Sequence, residues 1–232
     1  MAIGTLDQLK NFLGIPLTDA SENARLNIII TGVDSSIKRH VGTDLESTSY
    51  PGAAANGLGD DGYYSGNGHW ELLLRQYPVQ SITSIYVDPT GYFGQSATPF
   101  ASATLLTATT DYALMTDGCL PGTSTKVSYK GSVVRVGNVW PGIMLHTAGQ
   151  INPKQVQHKG NIKIAYTAGY TTVPGDIIMA FYQICAWVRS HASTGMAVQS
   201  EKYEEYAITL ATGAINSVGS FQRTLARYKR VA

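Results

Sequence analysis

Cysteine is nearly absent: Cys119 and Cys185 are the only two in 232 residues. Two cysteines make no disulfide framework, and Cys185, set in an apolar helical pattern, reads as a small core residue. Charge is scarce as well. Asp, Glu, Lys and Arg make up 14% of the chain, against about 25% in an average globular protein. The surface is therefore either rich in neutral Ser, Thr and Gly or partly reserved for partners. A net charge of +1 lacks the basic excess of an electrostatic nucleic-acid binder. Long apolar runs are missing too. Ile177 to Val188, the most apolar stretch, is interrupted by Gln183 and falls well short of the roughly 20 residues of a membrane span. No basic-plus-apolar leader pattern stands near Met1. The expectation is a protein that folds in a reducing cytoplasm and enters no membrane.

Catalytic signatures are equally sparse. The sequence has no P-loop, no G-x-S-x-G elbow and no H-E-x-x-H. His40, His69, His146, His158 and His191 show no metal-ligand spacing. Gly57 to Gly62, GLGDDG, matches G-x-G-x-x-G, but a dinucleotide site needs a strand before the glycines and a helix after them. Here both flanks read as loop, and Asp60 and Asp61 would meet phosphate with like charge. The acidic pairs Asp60–Asp61 and Glu204–Glu205 read as solvated surface. No nucleophile, base and orienting group come together. The chain is expected to be no enzyme, with no catalytic, cofactor-binding or metal-binding residue.

Periodicity gives the architecture. Thr5 followed by Gln8 is a capping-box pattern; Leu6, Leu9 and Leu13 mark a short helix that Gly14 can end. Asp19 and Glu22 give a second, looser cap signal. Leu26, Ile30, Val33, Ile37 and Val41 then form one helical stripe, with Lys38, Arg39 and His40 in the last turn, where cations suit the helix dipole. Residues 43–70 hold Asp44, Glu46, Asp60 and Asp61 but no Lys or Arg and show no period, an arm or a loop. Strand patterns follow at Leu72 to Leu74, Ile82 to Val87, Tyr112 to Met115, Lys126 to Tyr129, Ser132 to Val136 and Ile162 to Tyr166, with turns at Asp88 to Gly91, Asp117-Gly118 and Lys130-Gly131. Pro174 and Asp176 open a helix whose stripe is Ile177, Phe181, Ile184 and Val188 and whose other faces are also apolar. Gln199 to Thr212 fits strand or helix. Ser217 or Ser220 can cap a last helix through Phe221, Leu225 and Tyr228.

The fold class expected from this pattern is α+β. A helical core, with long helices near 20–41 and 175–191 and short terminal helices, carries a β-rich insertion. The divisions are 1–87, the helical core with its first strands; 88–160, the insertion; and 161–232, the rest of the core with a C-terminal segment. That segment holds Arg223, Arg227, Lys229 and Arg230 with no acid beside them and the aromatics Phe221 and Tyr228. Aromatic and Arg-rich composition is favoured at interfaces. Phe221, Arg223, Arg227, Tyr228, Lys229 and Arg230 are the candidate docking residues, and the chain cut after Gly219 is expected to keep its core.

The order of the blocks resembles the tailed-phage head–tail connector family, the adaptor or head-completion proteins. The blocks are TLDQLKNFLGIPL, ENARLNIIITGVDSSIKRHVGTDL, LLLRQYPVQSITSIYVD, NIKIAYTAGYTTVPGDIIMAFYQICAWV, SEKYEEYAITLA and LARYKRV. They cover about half the residues and span nearly the whole chain. This sequence departs from the family in carrying Tyr92 to Lys159 where members have a short hairpin or loop. The resemblance implies a virion neck protein assembled in the host cytoplasm: a homo-oligomeric ring, usually of twelve, between the portal protein and a tail-side neck or tail-completion protein. It implies double-stranded DNA passing through the lumen and a C-terminal segment docked on the portal. A tail-completion or tail-terminator subunit, which a sandwich without helical ends would favour, and a host-surface-binding module using Trp70 or Trp140 remain as alternatives.

Overall fold

A capping box starts the first helix: the Thr5 hydroxyl accepts from the Gln8 amide, and the Gln8 side chain accepts from the Thr5 amide. In this computed structural model the described residues are 3–51, 61–88, 100–116, 127–142, 160–193 and 219–229. The chain is α+β and divides into two compact units, residues 1–46 with 170–232, and residues 47–169.

The first unit is helical. Helix α1 spans Leu6–Leu13 and ends on left-handed Gly14; α2 spans Asn23–Val41 and ends on left-handed Gly42. Helix α3 spans Gly175–Ser193, and α4 spans Gly219–Ala226. The anticipated stripes are the core: Leu26, Ile30, Val33 and Ile37 of α2 are buried with Ile177, Phe181, Ile184 and Val188 of α3. The second cap signal works differently from its reading. Asp19 accepts from the Ser21 amide and hydroxyl, while Glu22, the residue before α2, makes no side-chain cap and pairs instead with Arg189 of α3 at 2.8 Å. Lys10 is 1% exposed. Its ammonium donates to the carbonyls of Leu17 and Asp19, which holds the α1–α2 loop on α1 and satisfies a charge that burial would otherwise penalise. Asp34 accepts from the Ile3 amide and pairs with Lys38, which also pairs with Glu46.

The second unit is β-structure. Its strands are β1 (Thr48–Tyr50), β2 (Tyr63–Tyr64), β3 (Glu71–Leu73), β4 (Val79–Val87), β5 (Tyr112–Met115), β6 (Ser132–Arg135) and β7 (Ile162–Ala168), with a 3₁₀ turn at Ser102–Thr104. β4 pairs with β7 along its whole length, so β1 and β2 share the other edge, β1 at residues 166–168 and β2 at residues 162–163. All these pairings are antiparallel, and β7 alternates buried and half-buried residues strictly. β3, β6 and β5 make a second antiparallel sheet in that order. Tyr50, Leu72, Ile85, Val133, Trp140, Ile164 and Tyr166 share one core.

Two sequence readings shift here. β4 and β7, grouped with the helices in divisions 1–87 and 161–232, fold with the residues between them, because their alternation shows a buried face but not a pairing partner. The strand expected at Lys126 to Tyr129 is, over its described part, one bridge from Ser128 to Val79. The turns placed at residues 89–91 and 117–118 and the segment Gln199 to Thr212 lie outside the described residues.

Phe181→Ala should cost about 3–5 kcal/mol, the range for truncating a fully buried aromatic. Urea unfolding should show it against Ser35→Ala, an exposed α2 position expected to stay within about 0.5 kcal/mol of the parent.

Candidate functional site

The C-terminal segment is built onto the helical unit. Leu225 of α4 is fully buried in the core that α2 and α3 form. The chain continues in a turn, in which the amides of Arg227, Tyr228 and Lys229 donate to the carbonyls of Thr224, Leu225 and Ala226. Helix α4 starts at Gly219, so Ser220 lies in its first turn and not at the cap; Ser217 lies outside the described residues.

Tyr228 is half-buried. Its hydroxyl lies 2.8 and 2.9 Å from the two carboxylate oxygens of Asp176, in the first turn of α3, and its ring meets Tyr170 edge-on at 6.0 Å. Burial, then the Asp176 carboxylate, pushes the phenol up to about 12. Asp176 serves two partners, since it also accepts from the Ile177 amide at the positive end of the α3 dipole. The residue singled out as an aromatic anchor for a partner thus clamps the segment to its own chain. A chain cut after Gly219 would lose the buried Leu225 from that core.

The cations have a different lot. Arg223 and Arg227, four apart across the end of α4, are exposed, as is Lys229, and no carboxylate pairs with them among the described residues. Phe221 lies within α4, and Arg230 lies outside the described residues. The structure adds groups that the sequence reading assigned only to a helix dipole. His40 in the last turn of α2 is held below the usual histidine range, by burial and then by the charge of Lys229. Arg39 beside it is exposed and also without a carboxylate partner among the described residues. The signal in the sequence was the Lys38-Arg39-His40 run; its nearness to the C-terminal cations is a tertiary fact.

Other candidates do not converge. Asp61 pairs with Arg75 at 2.8 Å and accepts from the Tyr63 amide, so it sits below the ordinary carboxylate range although burial opposes this. Residues 57–60 of GLGDDG, together with Cys119, His146, His158, Glu204 and Glu205, lie outside the described residues. Burial pushes the Cys185 thiol up, away from reactive thiolate. No group of His, Cys, Asp and Glu suited to a metal occurs among the described residues, and no described helix is long and apolar enough to cross a membrane.

No protein-family model and no curated protein matches this chain. Two solved chains are similar to it over 99% of its length and 91% of theirs, at 14% identity. One belongs to the neck of an empty gene transfer agent particle computed with C6 symmetry, with a TM-score of 0.47. The other belongs to the virion of a native gene transfer agent particle, with a TM-score of 0.48. At this level of likeness, the functional reading has to come from the chain's own residues.

Tyr228→Phe should lower stability by about 1 kcal/mol at neutral pH, below the usual range for a hydrogen bond to a charged group because both side chains meet solvent. A tyrosine ionises near pH 10 when unfolded and near 12 here. The wild type should therefore hold its full advantage below pH 10 and lose it as pH rises toward 12. Unfolding midpoints of both proteins across that window should converge.

Proposed function

We propose that this chain is a structural subunit of a tailed-phage neck, an adaptor that joins the portal to tail-side neck proteins. It would work as one copy in a homo-oligomeric ring, of twelve by the resemblance, with double-stranded DNA in the lumen, in a virion assembled in the host cytoplasm. The observation that carries this reading is the C-terminal segment. Helix α4 is packed firmly enough on the helical unit to be positioned, yet Arg223, Arg227 and Lys229 point their charge outward without a carboxylate partner among the described residues. A preorganised helix with unspent cations fits docking on an acidic ring surface, where such charge sets specificity and on-rate. In this reading Tyr228 and Leu225 fix the segment's direction and the cations meet the partner, while Phe221 and Arg230 are assigned to docking from the sequence alone.

The helical unit also bears on the alternatives. A tail-completion or tail-terminator role fits a sandwich alone, whereas this chain has four described helices outside its sheets. The host-binding alternative keeps one exposed tryptophan, since Trp70 is half exposed and Trp140 is fully buried.

Arg223→Glu with Arg227→Glu should leave the melting temperature within a degree or two of the parent, since both side chains are exposed. Neck assembly, followed by electron microscopy of particles, should fall, and the salt dependence of attachment should flatten. Full assembly by the double variant would move the docking role to another surface.

A further inference from the structure

The cations in the last turn of α2 are of two kinds. Lys38 is spent, since its ammonium bridges Asp34 and Glu46. Arg39 is exposed and His40 is half-buried, and neither meets a carboxylate or a hydrogen-bond partner among the described residues. The fold then brings a further cation to the same corner from the far end of the chain. Leu225 of α4 shares a core with Ile37 and Val41 of α2. In the turn that follows, the amides of Arg227, Tyr228 and Lys229 donate back to carbonyls of α4. This leaves Lys229, itself exposed, close enough to His40 for its charge to oppose protonation there.

The other charged groups of this corner have their own places. Asp44, beyond the end of α2, is buried, and Glu46 holds Lys38. Asp176 of α3 holds the Tyr228 hydroxyl and the Ile177 amide. Arg223 and Arg227 stand exposed on α4 and its turn. The charge that acts on His40 is that of Lys229. A histidine set beside an ammonium costs the chain free energy whenever it takes a proton. An anion lying against both turns that repulsion into two attractions, because it accepts from the imidazolium and from the ammonium.

We propose that the last turn of α2 belongs to the same docking surface as α4, and that a partner carboxylate seats against His40 and Lys229 with Arg39 beside it. For the kind of partner, an acidic protein surface, this rests on the neck reading. A DNA backbone fits less well, since the cations here are few and the chain lacks the basic excess of a nucleic-acid binder. Docking then takes up a proton. His40 is largely neutral in the free chain at neutral pH and gains charge as the carboxylate arrives, so attachment tightens as pH falls.

The test uses the full chain with two blocked peptides, a hexaglutamate and a hexaglutamine, at constant ionic strength. The His40 ring resonances, identified with His40→Gln, are followed between about pH 5.5 and 8. The hexaglutamate should raise the His40 pKa and bind roughly threefold more tightly at the acid end of that window, the range for one exposed ion pair. The hexaglutamine should do neither. His40→Gln should still bind hexaglutamate but without the pH dependence. Lys229→Gln should raise the His40 pKa in the free chain and weaken the peptide. Hexaglutamate that fails to bind, or binds and leaves the His40 titration unmoved, would overturn the proposal. A short DNA duplex that raises the His40 pKa at a lower concentration than the peptide would overturn it in favour of nucleic acid. The neck reading fails separately, because it is judged by particle assembly with Arg223 and Arg227 changed and not by this titration.

Discussion

The pairing of Ile162–Ala168 with three strands from the first half of the chain is the constraint on which the β unit depends. One strand receives β4 along one edge and β1 with β2 along the other. Everything from the end of β4 to the start of β7 is thereby closed as one long excursion. Closing such a loop costs entropy that grows only slowly with its length, so a large insertion is tolerated where a small one would be. The register is fixed by burial. Ile162, Ile164, Tyr166 and Ala168 all face the core, and a slip of one residue would turn them outward and Lys163 inward. Tyr166 adds a polar lock. Its hydroxyl bonds to that of Tyr64 and accepts from the Gln76 amide, while the Tyr64 hydroxyl accepts from the Arg75 amide.

The helical unit solves a different problem, since it is assembled from both ends of the chain. Two long helices with complementary stripes supply most of its core. Small polar devices then hold the connecting segments. Lys10 gathers the carbonyls of the α1–α2 loop, Asp34 takes the Ile3 amide, Lys38 bridges Asp34 to Glu46, and Tyr228 reaches Asp176. Lys10, the most deeply buried of these groups, is the one that burial alone would penalise most. Gly4 shows how tight the result is: a Cβ there would press on the Phe181 and Tyr182 rings.

Elements with a strong local signal were legible in the sequence. The 3.6-residue stripes, the Thr5–Gln8 capping box and the left-handed Gly14 and Gly42 all depend on neighbours a few residues away. What was not legible depended on distant partners. Asp19 and Glu22 carry the letters of a cap, but Ser21 and Arg189 claim them first. β4 and β7 announce an alternating face and not the strands that cover it, so their grouping with the helices followed sequence order. In the candidate site, the cations were legible as an acid-free run. The inward role of Tyr228 was not, because Asp176 stands 52 residues away.

A net charge of +1 suggests a protein with little electrostatic character, yet the charges are used unequally. Glu22, Asp34, Glu46 and Asp61 are held in ion pairs. Asp19, Asp111 and Asp176 accept from hydroxyls or amides of their own chain. These carboxylates are spent on the fold. Arg39, Arg223 and Arg227 are not, since they are exposed and no carboxylate pairs with them among the described residues. Screening limits the reach of exposed charges to about 10 Å at ordinary salt, so a partner approaching α4 responds to the local cations and not to the chain's total. In a chain with so few charges, leaving several of one sign unpaired on one helix and its following turn concentrates the positive field there.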